Sequence, residues 1–477
     1  MNSHTLQFDI YERFDIDTIQ DTDYSITGAE DNEYQQPFDL DRLVNDMKKV
    51  VRIVRTEGTV RYIYKDLCNN GSYQVHLLTE EQAKKLFQTV QLKGLPRIKV
   101  GGVMKKQTMW TIINMSIRPF LVRRFNFFCN DPDSFNLFSG YNIQILPTED
   151  YDESLIQHHL YHWLHIICHD SKEAYEYVLN WFANMLQNPL CRNTTVLTLI
   201  APQGCGKNEF FCQPIQDILT KQYSYETGNA NNIFGDFNHL IAMKKFVVLN
   251  EAKSVDSKSS QCINYDTFKD VITSRTLTIN AKNEQQYVID NVINLVITSN
   301  NDMPFRIQDN DRRMVFLDVS DEFAEIPDTE ENRTNPEMVA KVQRRIDYFA
   351  QLNEERNHPL FTRTLFTFLM NRDISNFNPD KRPFTKKKQD VITDSRNPME
   401  LFVEENLSQL IDNDWESKYA YLAYRTFCRD SGYTCIKNIQ GFIGELRKLG
   451  ITTERKSIDG TRKTVLVVSE DAVEKFS

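Results

Sequence analysis

Short apolar alternations separated by polar turns run through the first 145 or so residues. In Val60-Arg61-Tyr62-Ile63-Tyr64 the even positions are β-branched or aromatic, the pattern of a half-buried strand, and Gly58 marks the turn before it. Residues 80–90 read as a short helix. From Leu155 to Gln187 the period changes to threes and fours, carried by Leu160, Trp163, Leu164, Ile167, Tyr177, Val178, Trp181 and Met185. This predicts helix up to the stop at Pro189. Four brief apolar runs follow at 196–200, 246–249, 295–298 and 314–317, with polar or helical stretches between them, the rhythm of an α/β sheet. Residues 337–370 return to helical spacing. The segment 381–388 combines Pro383 with Lys381, Arg382, Lys386, Lys387 and Lys388 and reads as a linker. The tail from Pro398 reads as helices, ending in a helix over 439–448, Gly450, a strand, an Asp459-Gly460 turn and a second strand through 465–468.

Composition narrows the class. With 477 residues, 40% hydrophobic and 26% charged, the chain is an ordinary globular one with room for several domains. It has no eighteen-residue apolar run, so no membrane-crossing helix is expected, and its acidic first residues do not resemble a secretion signal. Nine scattered cysteines without a C-x-x-C pair argue against a zinc ribbon or a disulfide framework and for a reducing, intracellular setting. A net charge of −10 means that any nucleic-acid contact must come from a local basic surface.

The run 196–208 is a buried-type strand leading into Ala201-Pro202-Gln203-Gly204-Cys205-Gly206-Lys207-Asn208, which resembles a P-loop. Glycines there let backbone N–H groups close around phosphate oxygens, and the lysine reaches the outer phosphates. Ala201 stands where the first glycine is usual, and Asn208 where a hydroxyl residue normally meets magnesium; an amide oxygen can face the metal directly or through water. A second apolar strand ends at Asn250-Glu251, an acid placed to deprotonate an attacking water, with Asn250 near the metal shell. A third ends at Ser299-Asn300, whose amide can sense the γ-phosphate. Asp311-Arg312-Arg313 then precedes a fourth strand, where an arginine could reach the nucleotide of a neighbouring subunit. Read singly, each of these is equally well a structural turn, a solvated acid or a solvated arginine pair.

In order, Lys207, Glu251, Lys282, Asn300 and Arg312-Arg313 resemble Walker A, Walker B, motif B′, motif C and the arginine finger of superfamily 3 helicases. The poxvirus-type and phage primase-helicase branch fits best, supported by Phe234-Gly235-Asp236-Phe237-Asn238 before the Walker B strand. The resemblance covers about residues 150–470. It implies an α/β fold with an AAA+ P-loop ATPase core (193–325), a helical collar (146–192), a mixed α/β N-terminal domain of unassigned role (1–145), a helical segment (326–380), a basic linker (381–397) and a winged-helix-like domain (398–477). It further implies ATP with Mg²⁺, Gly204, Cys205, Gly206, Lys207, Asn208 and Asn250 around the nucleotide, and a homo-hexameric ring moving on single-stranded DNA for a virus, phage or mobile element, with a primase or polymerase as partner. The β-alternations flanking Ala281-Lys282-Asn283-Glu284 suggest a hairpin, whose Lys282 the family would use to grip a DNA phosphate; a lysine at such a tip is otherwise simply solvated. In the tail, Arg455, Lys456, Arg462 and Lys463 could meet phosphates from a wing, although winged helices also dock proteins.

Two rivals remain: an origin-loading or remodelling ATPase that separates no strands, and a non-catalytic DNA-binding protein that holds nucleotide structurally. Two further patterns are set aside. His158, His162, His165 and His169 fall on one helical face but lack a completing ligand pattern, and Asp15-Ile16-Asp17, like a primase acidic pair, lacks a convincing strand before it.

Overall fold

The computed structural model describes residues 15–26, 37–56, 59–67, 73–128, 134–138, 140–250, 265–300, 311–395, 398–412, 414–430, 437–458 and 460–476. The chain divides into two compact units, the second built mainly from residues 385–477.

The first unit begins with a four-stranded sheet. Strands β1 (Val51–Thr56), β2 (Thr59–Leu67) and β3 (Tyr73–Leu78) pair antiparallel, and the short β6 (Leu121–Val122) joins β1 in parallel, giving the order β3-β2-β1-β6. Helices Leu40–Val50, Glu80–Phe87 and Met109–Met115 contribute Leu43, Met47, Phe87, Met109 and Ile112 to the core beside this sheet. The helix over 80–87 starts with a capping box between Thr79 and Gln82. The alternation in β2 predicts one solvated face. Instead Arg61, Ile63 and Lys65 on that face are buried too, because another part of the same unit covers Arg61. A separate hairpin, β4 (Ile98–Val100) with β5 (Val103–Lys105), leaves this domain, and β7 (Arg124–Asn126) pairs with β8 (Ser134–Asn136).

The centre of the unit is a five-stranded parallel sheet in the order β10-β11-β14-β9-β15. It comprises β9 (Val196–Ile200), β10 (Ser224–Thr227), β11 (Phe246–Leu249), β14 (Asn294–Ser299) and β15 (Met314–Asp318). β9, β11 and β14 are buried along their whole length, which is why apolar residues dominate them. The antiparallel pair β12 (Thr276–Ile279) and β13 (Tyr287–Asp290) stands apart from this sheet. The helical stretch predicted over 155–187 is interrupted. A helix Gln157–His162 widens into a π-type turn Trp163–Ile167, His169 and Asp170 take left-handed backbone angles, and a new helix Lys172–Gln187 begins at the Ser171 cap. This break removes the regular histidine face.

In the second unit, helices Pro398–Glu405, Ser417–Asp430 and Ile439–Lys448 pack with the hairpin β16 (Ile451–Ile458) and β17 (Thr461–Val468) around Phe402, Tyr424, Phe442, Leu446 and Leu466. Residues 386–395, read from sequence as part of a linker, are instead a helix, Lys386–Ser395. The single proline precedes it, and the lysines are compatible with helix once that proline is passed. Among the described residues no helix is long and apolar enough to cross a membrane.

Candidate functional site

Parallel strands place their C-terminal ends on one edge, where open α/β sheets gather ligand-binding loops. The chain leaves β9 there and turns through Gly204 (φ +87°) and Gly206 (φ +76°), two left-handed positions that glycine tolerates. Lys207 opens the next helical turn and is buried, 7% exposed. Its Nζ donates to the carbonyls of Ala201 (2.6 Å) and Pro202 (2.8 Å) and to Asn300 Oδ1 (3.0 Å). Burial holds this ammonium below the ordinary lysine range. Two residues ninety-three positions apart thus meet at one strand edge.

Asn250, at the end of β11, accepts from Thr298 Oγ1 (3.0 Å) and donates to the Glu226 carboxylate on the neighbouring β10. Asn208 Oδ1 is buried and has no hydrogen-bond partner among the described residues, a spare oxygen acceptor beside the loop. Cys205 is buried, with its thiol pushed up by the loss of water. Glu251 lies outside the described residues.

Behind the loop is a buttress that the sequence does not announce. Arg345 Nε donates to the Phe323 carbonyl (2.9 Å), and its Nη2 approaches the Gly204 carbonyl (3.5 Å). Glu325 N–H donates to the Gln203 carbonyl (2.9 Å). Phe323 and Tyr348 stack face to face at 3.9 Å, and the Tyr348 hydroxyl is 2.9 Å from Nδ1 of His162. His162 is fully buried, its Nε2 has no partner among the described residues, and its ring lies 3.0 Å from where a Cβ on Gly206 would stand. One turn earlier, the Glu355 carboxylate caps the backbone N–H groups of His158 (2.8 Å) and His159 (2.9 Å) and bonds the His159 ring. His159 and His162 are therefore packing groups, and among the described residues no three His, Cys, Asp or Glu side chains could hold a metal.

Burial pushes the His162 imidazole down to about 3 and lowers His159 as well. His162 is then neutral in the fold, whereas the unfolded chain takes up a proton there below about 6.5. Stability is accordingly full above that pH and falls as pH drops toward 3, by about 1.4 kcal/mol per unit from His162 alone. Urea unfolding between pH 7.5 and 5 should show this slope, and His162→Gln should flatten it by about one proton. An unchanged slope in the variant would show that His162 is protonated in the fold.

Arg312 is exposed, and Arg313 lies where β15 begins, its carbonyl accepting from Val196 N–H (2.7 Å). The five residues of β9 separate this edge from the P-loop, about 17 Å at roughly 3.3 Å per residue. Within one chain neither arginine reaches Lys207.

Lys282 is exposed at the turn joining β12 to β13. Two residues on, Glu284 Oε2 receives Arg61 Nη1 (2.9 Å), Arg61 Nη2 donates to the Gln285 carbonyl (2.8 Å), and the guanidinium lies over the Tyr287 ring at 5.1 Å. Phe127 N–H also donates to Asp290 (2.9 Å). The N-terminal domain therefore clamps the base and shoulder of this loop while its lysine stays in water. In the second unit the four wing cations divide. Lys456 pairs with Asp414 (2.7 Å) and Lys463 with Glu416 (3.8 Å), while Arg455 and Arg462 are exposed. Cross-strand register explains the split, since Lys456 sits opposite Lys463 on one face and Arg455 and Arg462 occupy the other.

Three comparisons bear on this arrangement. A family of unknown function (DUF5906) matches residues 199–313, from the P-loop strand to the arginine pair. The chain is 30% identical over 157 residues to the DNA primase-polymerase of Nitratiruptor phage NrS-1, a stretch that is 33% of this chain and 21% of that protein. The chain thus spans about a fifth of the length of the curated relative it matches. Among solved structures, an apo form of the NrS-1 C-terminal region has a TM-score of 0.52 at 16% identity, covering 92% of this chain and all of that one. A second apo structure of the region scores 0.53 at 18% identity over 89% and 97%. The chain is homologous to part of a phage DNA primase-polymerase and shares the fold of the NrS-1 C-terminal region.

Proposed function

We propose that the protein is an ATP-driven motor of phage DNA replication, a superfamily 3 type helicase working on single-stranded DNA beside primase or polymerase activity. The observation that carries this reading is the meeting of Lys207 with Asn300 at the C-terminal edge of a parallel sheet in which the fourth strand, β14, is inserted between β9 and β11. That strand order is the one expected of an AAA+ P-loop core. ATP binding exchanges the lysine's contacts: Nζ leaves the Ala201 and Pro202 carbonyls for the outer phosphates, and the loop N–H groups between Gly204 and Asn208 close on the remaining oxygens. Asn300, already bonded to Lys207, senses the γ-phosphate, and Glu251, next to Asn250, is assigned as the base for water. Magnesium supplies charge neutralisation when bound. The spare Asn208 oxygen and the Asn250 amide are hard oxygen donors of the type it takes. Arg312 and Arg313, too far from their own loop, serve the nucleotide of an adjacent copy in a ring, six members being the family's number.

ATP turnover with and without single-stranded DNA, followed by unwinding of a forked duplex, tests the reading. DNA-stimulated hydrolysis with strand separation supports it. Hydrolysis without separation favours a loading or remodelling motor, and nucleotide binding without turnover favours a structural nucleotide. The relative's name raises nucleotidyl transfer as a second reading. Against it, Asp15 of the Asp15-Ile16-Asp17 pair caps a helix, accepting from Thr18 N–H (2.8 Å) and Thr18 Oγ1 (2.7 Å). Template-directed incorporation of nucleotides by the purified chain would overturn the motor reading in favour of this one.

The clamp on the Lys282 loop makes a separate prediction. Arg61→Ala should cost about 2 kcal/mol of stability through the lost charged hydrogen bonds. It should keep basal ATP turnover but weaken its stimulation by DNA. Stimulation equal to the parent's would free the loop from the N-terminal domain's control.

A further inference from the structure

Residues 97–106, Arg97-Ile98-Lys99-Val100-Gly101-Gly102-Val103-Met104-Lys105-Lys106, hold four cations and no acid in a chain of net charge −10. They form the β4–β5 hairpin, and its blade is in water: Val100 is 47% exposed, Val103 60% and Met104 36%, and all four cations are exposed. Its stem, by contrast, is held firmly. Leu92 N–H donates to the Gln107 carbonyl (3.1 Å), Met109 N–H to the Val90 carbonyl (2.9 Å), and the buried Gln107 side chain to the Pro96 carbonyl (2.9 Å). Gly101 and Gly102 both take left-handed angles, which makes the tight tip a two-residue turn open on every side.

The register sorts the side chains. Val100 faces Val103 and Ile98 faces Lys105, so one side of the blade is apolar towards its tip. Lys99 faces Met104 on the other side, and alternation adds Arg97 and Lys106 to it. Among the described residues none of these four cations forms an ion pair. An isolated two-stranded hairpin is marginal in water, and apolar side chains are poor choices for a strand whose lysines serve only to keep other chains away. A basic face behind an apolar tip matches a polyanion that also offers flat apolar surfaces, which is the chemistry of a nucleic acid.

We infer that the β4–β5 hairpin is a second DNA contact of this protein, its basic face lying along phosphates and its Val100–Val103 tip entering between bases where a duplex opens. The inference takes its ligand from the DNA-replication reading, but it does not require ATP hydrolysis, so binding without nucleotide separates the two.

The test uses the full chain and two variants, Arg97→Gln/Lys99→Gln/Lys106→Gln and Val100→Ser/Val103→Ser, with fluorescence anisotropy on a single strand, a duplex and a fork across a salt series. The triple variant should bind all three DNAs at least about tenfold more weakly, with the salt slope reduced by about 2 to 3, since each lost phosphate contact removes about 0.7 to 0.9. The tip variant should bind the single strand and the duplex like the parent but the fork more weakly. Both should melt like the parent, because the altered side chains stand in water. Parent-like affinity and slope in the triple variant would overturn the inference even if DNA still stimulates the ATPase. A change of oligomeric state with no change in salt slope would overturn it too, by making the hairpin a contact between copies. Weaker binding by the triple variant in a protein that proves unable to hydrolyse ATP would uphold the hairpin and remove the motor reading instead.

Discussion

Lys207→Ala should reduce single-turnover ATP hydrolysis by about 10³-fold, the scale of losing one fixed donor to developing phosphate charge. The side chain is buried, and its three acceptors, Ala201 O, Pro202 O and Asn300 Oδ1, lie within 2.6 to 3.0 Å. Two opposing terms act on stability. The variant leaves those acceptors without a donor, but it also removes a desolvated ammonium. The melting temperature should therefore move little while the rate collapses, and this contrast separates a lost phosphate contact from a damaged fold. Asn300→Ala should lose less, since Lys207 keeps its own charged contact with the outer phosphates and only a neutral amide is removed. Hydrolysis by the Lys207 variant at the parent rate would refute the loop's assignment.

Gly206→Ala is expected to act in the reverse manner, through the fold first. A Cβ at this position would stand 3.0 Å from Cε1 and Nε2 of His162 and 3.1 Å from Cδ2 of Phe210. Both rings are buried and neither can withdraw cheaply. The left-handed φ of +76° adds a strain of about 1 to 2 kcal/mol for any residue with a side chain, and overpacking adds about 1 to 3. Urea unfolding should register a loss of about 2 to 5 kcal/mol, with nucleotide affinity falling alongside it. Because the nearer of the two rings is that of His162, His162→Ala in the same chain should recover part of the loss, a coupling that a double-mutant cycle measures. Strict additivity of the two changes would mean that the loop accommodates the methyl group by another route.

The strands that carry the site were readable because they are buried on both faces. Val196–Ile200, apolar but for Thr198, and Phe246–Leu249 are apolar runs in the chain and continuous buried strands in the sheet. The edge strand β10, Ser224-Tyr225-Glu226-Thr227, was not, since a strand with one free edge keeps polar residues. Helical periodicity over 155–187 hid the break at His169 and Asp170, where the wide turn after Trp163 shifts the register; the polar triplet ending at Ser171 was the local sign of it. Long-range partners left no trace in spacing. Nothing near Arg61 announces Glu284, nothing near Gly206 announces His162, and the acids that neutralise Lys456 and Lys463 sit across the unit rather than beside them. A cation's availability depends on the fold around it, which is why four equal candidates in the wing became two.

The buried Arg61 also bears on how the molecule can be divided. A chain cut near residue 145 to isolate the P-loop half would strip Glu284 of its counter-charge and uncover the Tyr287 ring on which the guanidinium rests. The loop carrying Lys282 would lose the brace that sets its angle. The two halves therefore behave as a single mechanical part, and a severed P-loop half would report the properties of a slackened lever.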